Sequence, residues 1–226
     1  MPSYRHPYPT ARSSTSIDLA SLFDRDRFPL RTVVELGAGP PDFFQSWSLL
    51  DKCDTLILID PIKANLDKHR NIFERNPNKH TDVIYHECAV VPEDWPGKFI
   101  QMRVNPVQGG FRAGQSFVDG GPVPPCVTSK AFHDAQTKWP LSEEKIPAIP
   151  LSELDPGDID VLVLDLEGAE WWALSTMISR PEIILIELYE NNQYIEEIRQ
   201  WFFDNDYEIA GGVPVRREFL YRKVSD

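Results

Sequence analysis

Three cysteines, Cys53, Cys88 and Cys126, are all that this 226-residue chain contains, with no CxxC pair among them. An odd number of scattered thiols makes a poor disulfide framework and points to reduced cysteines in a cytoplasmic setting. Basic charge is also scarce: 23 Lys and Arg face 35 Asp and Glu, a formal net charge of -12. A nucleic-acid backbone asks for a concentrated basic face, so nucleic acid is not the expected partner. No apolar run is long enough to span a bilayer, and the opening "MPSYRHPYPTARSS" has neither the apolar core of a secretory signal nor a membrane anchor. Internal repeats and low-complexity linkers are missing too. A composition that is 42% hydrophobic and 11% aromatic is enough for one substantial core and short for two.

What is present is an alternation. "RTVVELGAGP" is a β-branched run that ends in glycines, and "PDFFQSWSLLDK" reads as a helix with proline in its first turn. "DTLILIDP" is a second strand ending on Asp60, followed by a helix with Leu66, His69 or Arg70, and Phe73 on one stripe; "DVIYHECAVV" is a third strand. Beyond an irregular insert at about 93–142, "DIDVLVLDLEGAEWWALSTMI" reads as strand and helix, "EIILIELYE" as a strand and "NQYIEEIRQWFFDN" as a helix. "YEIAGG" and "REFLYRKV" form a closing strand pair. Strands that are apolar throughout belong in a sheet covered on both faces, so the expected fold is a doubly wound α/β sheet with an antiparallel C-terminal edge. Residues 1–30 form an arm with a short helix over Ser14–Phe23 capped by Ser16, and residues 31–226 form a single domain.

The glycine turn raises the first question of chemistry. Gly37-Ala38-Gly39 begins like a dinucleotide fingerprint, but Asp42 stands where a third glycine belongs and Pro40 and Pro41 delete two amides that would cradle a pyrophosphate. A nucleoside ligand without phosphates fits better. Asp60, twenty-one residues after Gly39 at a strand tip, is of the right type to accept hydrogen bonds from ribose hydroxyls.

Acids gather at later strand ends. If the strand "DVLVLD" lies beside the first strand, Asp165 faces the same crevice as Gly37, Glu167 follows it, and "EIILIE" presents Glu187 at the same level. Glu170, one turn into the next helix, is the more structural of these acids. One of Trp171 and Trp172 should pack on the sheet, leaving the other as a candidate wall for a sugar face. Arg112 and Gln115 sit on a glycine-flanked stretch suited to a lid.

"VVELGAGPPD", "LILIDPIKANLDKHR", "IPAIPLSEL", "VLVLDLEGAEWWAL" and "IILIE", in this order, resemble the FkbM family of S-adenosylmethionine-dependent methyltransferases. The resemblance implies a class I, Rossmann-like methyltransferase fold and O-methylation of a sugar, glycan or related small-molecule hydroxyl. By the same resemblance Glu35, Gly37, Ala38 and Gly39 would meet the methionine moiety of S-adenosylmethionine. Asp60 with Pro61 would meet the ribose, and Glu87, Cys88 and Ala89 the adenine; the strand-end placement argued above would put Asp165, with Glu167 and Glu187, beside the cofactor's reactive end. The catalytic candidates are Asp165, Glu167, Glu187 and His86, with His133 in the insert as a further histidine. A hydroxyl must lose its proton, and either a histidine or a divalent metal such as Mg held by Asp165 and Glu187 could assist. The rival readings are a noncatalytic glycan-binding or partner subunit on the same fold, and an NAD-dependent oxidoreductase, which would need the phosphate turn that is incomplete here.

Overall fold

The computed structural model describes residues 17–75, 80–103, 117–122, 140–213 and 217–224. Seven strands form the main sheet: β1 (Leu30–Leu36), β2 (Cys53–Ile59), β3 (Asp82–His86), β9 (Ile159–Leu164), β10 (Ile183–Glu187), β11 (Tyr207–Val213) and β12 (Glu218–Lys223), the numbers counting every strand in chain order. Their spatial order is β3-β2-β1-β9-β10-β12-β11. The first five in that order are mutually parallel, whereas β12 runs antiparallel to both β10 and β11. The chain therefore winds outward from β1 to β3 and later restarts on the other side of β1. That reversal opens a crevice at the carboxyl ends of β1 and β9, where such sheets place their ligands.

Alternating side chains settle both faces. Val33, Leu56, Leu58, Val161 and Val163 pack on one face with Leu66 and Phe73 of α1 (Lys63–Glu74). Val34, Leu36, Ile57, Leu162 and Leu164 pack on the other with Ala173 and Leu174 of α2 (Glu170–Thr176) and Ile198 and Phe202 of α3 (Ile195–Asp204). All six residues of β9 are buried, which is why its sequence shows no polar alternation.

Short strands lie within and on either side of the described part of the insert. β4 (Ala89–Val90) and β5 (Phe99–Ile100) flank β8 (Ile146–Ile149), and β6 (Met102–Arg103) pairs with β7 (Phe117–Val118). Arg112, Gln115, Cys126 and His133 lie outside the described residues, as do the first sixteen residues with Ser16.

Two predicted helices are different. Pro41–Phe43 and Ser46–Leu49 are separate 3₁₀ turns, because the amides of Gln45 and Ser46 donate to the buried Glu35 carboxylate at 2.9 and 2.8 Å and are lost to a helical ladder. The amino-terminal helix reduces to a 3₁₀ turn, Leu19–Leu22, whose cap is Asp18 accepting from the Ala20 amide.

Candidate active site

Gly37 follows β1 with φ +73°, and a Cβ added there would stand 1.9 Å from the carbonyl oxygen of Asp165. The turn after β1 thus rests directly on the backbone at the end of β9, reinforced by the Asp165 amide donating to the Leu36 carbonyl at 3.1 Å. The missing side chain is required by this close approach. Gly39, with φ +56°, has, among the described residues, only the Gly37 carbonyl within reach of such a Cβ, at 3.7 Å, and so leaves an open face.

The amides of this turn are already engaged. Those of Gly37 and Ala38 donate to the Ile59 carbonyl at 2.9 and 3.2 Å, that of Gly39 to Asp60 Oδ2 at 2.8 Å, and Pro40 and Pro41 have none. Toward a ligand the turn is therefore an acceptor, not an anion cradle.

Asp60 is 4% exposed, and its other oxygen takes the Ile62 amide at 2.7 Å, with Asn65 reaching both oxygens at 3.3 Å. Burial pushes its pKa up while these donors pull it back. Glu35, 1% exposed, is the acceptor for Gln45 and Ser46 described above. Both acids thus fix backbone around the turn, a stronger structural commitment than their sequence positions indicate. Pro61 is half-buried beside them, Glu87 is exposed, and the Cys88 and Ala89 side chains are packed in the core.

The sequence missed His69. It is fully buried on α1, with Nε2 3.1 Å from the Gly39 carbonyl oxygen and its ring edge-on to Phe44. Gly39 is accordingly held from both sides, by Asp60 at its N–H and His69 at its carbonyl. Its place on the stripe with Leu66 and Phe73 was the available signal, but a buried histidine among apolar residues looks the same whatever it bonds.

Asp165, Glu167 and Glu187 come together. One carboxylate oxygen from each lies within 4.8 Å of the others, and all three residues are partly exposed. Desolvation first, then the charges of Glu187 and Glu167, hold Asp165 well above the usual carboxylate range, helped by a hydrogen bond to Glu187. Glu167 itself has φ +52°, in the left-handed region that residues with a Cβ rarely occupy. His86 is not part of this group. It ends β3, opposite Ile59 of β2, so β1 and β2 separate it from the end of β9 by about 14 Å at the usual strand spacing. Burial lowers its pKa.

Glu170, by contrast, is 2% exposed and bonded inward. Its Oε1 accepts from the amides of Leu166 and Gly168 at 3.2 and 3.0 Å, and its Oε2 from Asn192 Nδ2 at 2.8 Å. Burial raises its pKa from 4.5 to about 7. A raised carboxyl pKa means that between these values the folded chain holds a proton the unfolded chain has released, so stability falls as pH rises through about 7. Asp165 acts with the same sign. Thermal melts should therefore show lower stability at about pH 8 than at about pH 5, with Glu170 contributing on the order of 3 kcal/mol; a rising or flat profile would contradict this assignment.

Trp172 is 6% exposed and packs tilted against Trp95, with ring centroids 5.4 Å apart. It is core. Trp171 is partly buried against the neighbouring apolar clusters.

A family model described as the methyltransferase FkbM domain matches residues 35–209. Among solved structures, methyltransferase FkbM from Methylobacillus flagellatus KT superposes with a TM-score of 0.52 at 17% identity, covering 86% of this chain and 44% of that one. Monomeric WbdD gives a TM-score of 0.41 at 12% identity, covering 85% of this chain and 35% of that one. The chain thus spans less than half the length of both solved structures. No curated protein matches the sequence.

Proposed function

Because this chain belongs to the methyltransferase FkbM domain family, we propose that it methylates a hydroxyl of a sugar, glycan or related small metabolite, using S-adenosylmethionine on a Rossmann-like sheet. The observation that carries this reading is the convergence of Asp165, Glu167 and Glu187 beside an amide-depleted glycine turn. Both features suit a cationic ligand that has an ammonium, a sulfonium and a ribose but no phosphate. A pyrophosphate would meet no free amide at residues 37–41, which counts against NAD.

When bound, S-adenosylmethionine supplies a methyl group on a positively charged sulfur, transferred by in-line displacement. The chain's own contribution is to hold an acceptor oxygen in line and to take its proton. Among the described residues, Asp165 is the best placed base. Its pKa is raised by burial and by like charge, so it binds a proton more avidly than an ordinary carboxylate. A positive charge set beside it favours its ionised, proton-accepting form. His86 is left to the far side of the turn, near Asp60. The open face of Gly39 admits a nucleoside closely, and Glu87 with the backbone of Cys88 and Ala89 remains our reading of the adenine end.

The same three carboxylates have the spacing to bind a divalent cation such as Mg, which would orient adjacent hydroxyls; this second reading rests on their mutual 4.8 Å limit. Residues 31–226 are read as one methyltransferase domain behind an amino-terminal arm of residues 1–30. Cys53 and Cys88 are unbridged and buried, and among the described residues no helix is long and apolar enough to cross a membrane. Both fit the cytoplasmic setting we propose.

Calorimetric titration is the direct test. S-adenosylhomocysteine should bind and NAD should not; the reverse result would replace this reading with an oxidoreductase. Binding without turnover on a panel of sugars and glycans would favour a noncatalytic subunit, and turnover abolished by a chelator and restored by Mg would favour the metal.

A further inference from the structure

The acids of the trio come from two different loops. Asp165 and Glu167 occupy the turn between β9 and α2, whereas Glu187 ends β10 and the chain continues to Asn192 before α3 begins. Their approach raises electrostatic energy, because three carboxylates gathered at a partly buried rim repel one another. Something must hold the loops together against that repulsion.

Glu170 and Asn192 occupy that position. The two amides that Glu170 Oε1 accepts, Leu166 and Gly168, are those on either side of Glu167. They close the turn around a residue whose φ is +52°. Its other oxygen takes Asn192 Nδ2 at 2.8 Å, across to the loop of Glu187. Asn192 cannot turn its side-chain amide round at no cost, since its Oδ1 already accepts the Tyr194 amide at 2.9 Å, and its backbone N–H is tied to the Tyr189 carbonyl at 2.9 Å. At 2% and 3% exposure, neither partner can exchange this bond for water.

We propose that Glu170 and Asn192 form a strut that sets the distance between the Asp165–Glu167 turn and Glu187, making both of them positioning residues for the acidic trio. Its catalytic consequence rests on the methyl-transfer reading above; its geometric content does not. One carboxylate oxygen of Asp165 lies within 4.8 Å of one on Glu187, so the separation of these two groups reports whether the strut holds.

The experiment is a crystal structure of each variant beside that of the parent, run with thermal melts and turnover on the same full-length samples. Asn192→Ala removes the strut without changing charge. The double variant Glu170→Gln/Asn192→Asp rebuilds it with donor and acceptor exchanged, the new amide donating to the new carboxylate and the net charge preserved. In folded Asn192→Ala, the Asp165 and Glu187 carboxylates should stand farther apart than in the parent. Turnover should fall by about a hundredfold in kcat, the scale of a misplacement of roughly 1 Å, with affinity for S-adenosylhomocysteine little changed. The double variant should recover both the separation and kcat. A folded Asn192→Ala protein with the parent's separation overturns the strut, as does a double variant that recovers its melting temperature but not the separation. Should Asn192→Ala fail to fold, the double variant alone decides by the same separation. Absence of turnover in the unsubstituted protein would count against methyl transfer, while the separation would still decide the strut.

Discussion

Gly37→Ala is expected to destabilise the chain by more than about 4 kcal/mol, beyond the range of ordinary point substitutions. The added Cβ would lie 1.9 Å from the Asp165 carbonyl oxygen and 2.9 Å from its carbonyl carbon, and both are backbone atoms with no side-chain rotation available to move them aside. Relief would require the ends of β1 and β9 to separate, breaking the bond from the Asp165 amide to the Leu36 carbonyl and the parallel ladder beneath it. The φ of +73° adds strain of its own. Gly39→Ala is the informative control. At φ +56° with nothing nearer than 3.7 Å, it carries only conformational strain of about 1–2 kcal/mol. It should fold and lose affinity for S-adenosylhomocysteine, because the new methyl group enters the open face of the turn. Urea denaturation of the two proteins measures the contrast, and equal midpoints would mean that Gly37 does not carry the contact between the two strand ends.

The strand ends were legible because their physics is local. A short β-branched apolar run such as Val161–Leu164 suits a strand covered on both faces, and Asp165 immediately after it marks where burial stops. The parallel pairing of β9 with β10 then follows from the helix between them, and the antiparallel pair β11–β12 from its short connection, whereas β1 beside β9 entered only as a condition. Side chains that act over distance were not legible. Glu35 looked like part of a ligand turn, yet it spends its carboxylate on amides ten and eleven residues further on, and in doing so turns the expected helix into two 3₁₀ turns. Asp60 and His69 clamp Gly39 from β2 and α1, a juxtaposition that exists only once α1 has packed on the sheet. His86 was a reasonable candidate from its place at a strand end, but lateral strand order separates it from Asp165. Nothing along the chain encodes that order directly. Asn192 escaped notice altogether, since an asparagine ahead of a helix reads as an ordinary turn residue until Glu170 is found facing it.

Asp165→Asn should lower kcat by about 10²- to 10⁴-fold, the usual contribution of a positioned base, while leaving S-adenosylhomocysteine affinity little changed. The amide has nearly the shape of the acid, so the contact between Asp165 and Gly37, which is made through backbone atoms, persists. What is lost is the group whose proton affinity has been raised by burial and by Glu187 and Glu167. The same substitution removes one of three mutually repelling carboxylates, so the variant should also melt higher than the parent at neutral pH. Those two effects have opposite signs, and a merely structural Asp165 would not produce them together. A structural residue would lose stability along with turnover, and a solvated rim residue would change neither. If Asn at this position leaves kcat intact, proton transfer falls to Glu187, for which Glu187→Gln is the corresponding test. If the melting temperature drops instead, the charge of Asp165 is compensated in the folded protein, and a cation bound by the trio becomes the better account of why three acids meet at the mouth of the crevice.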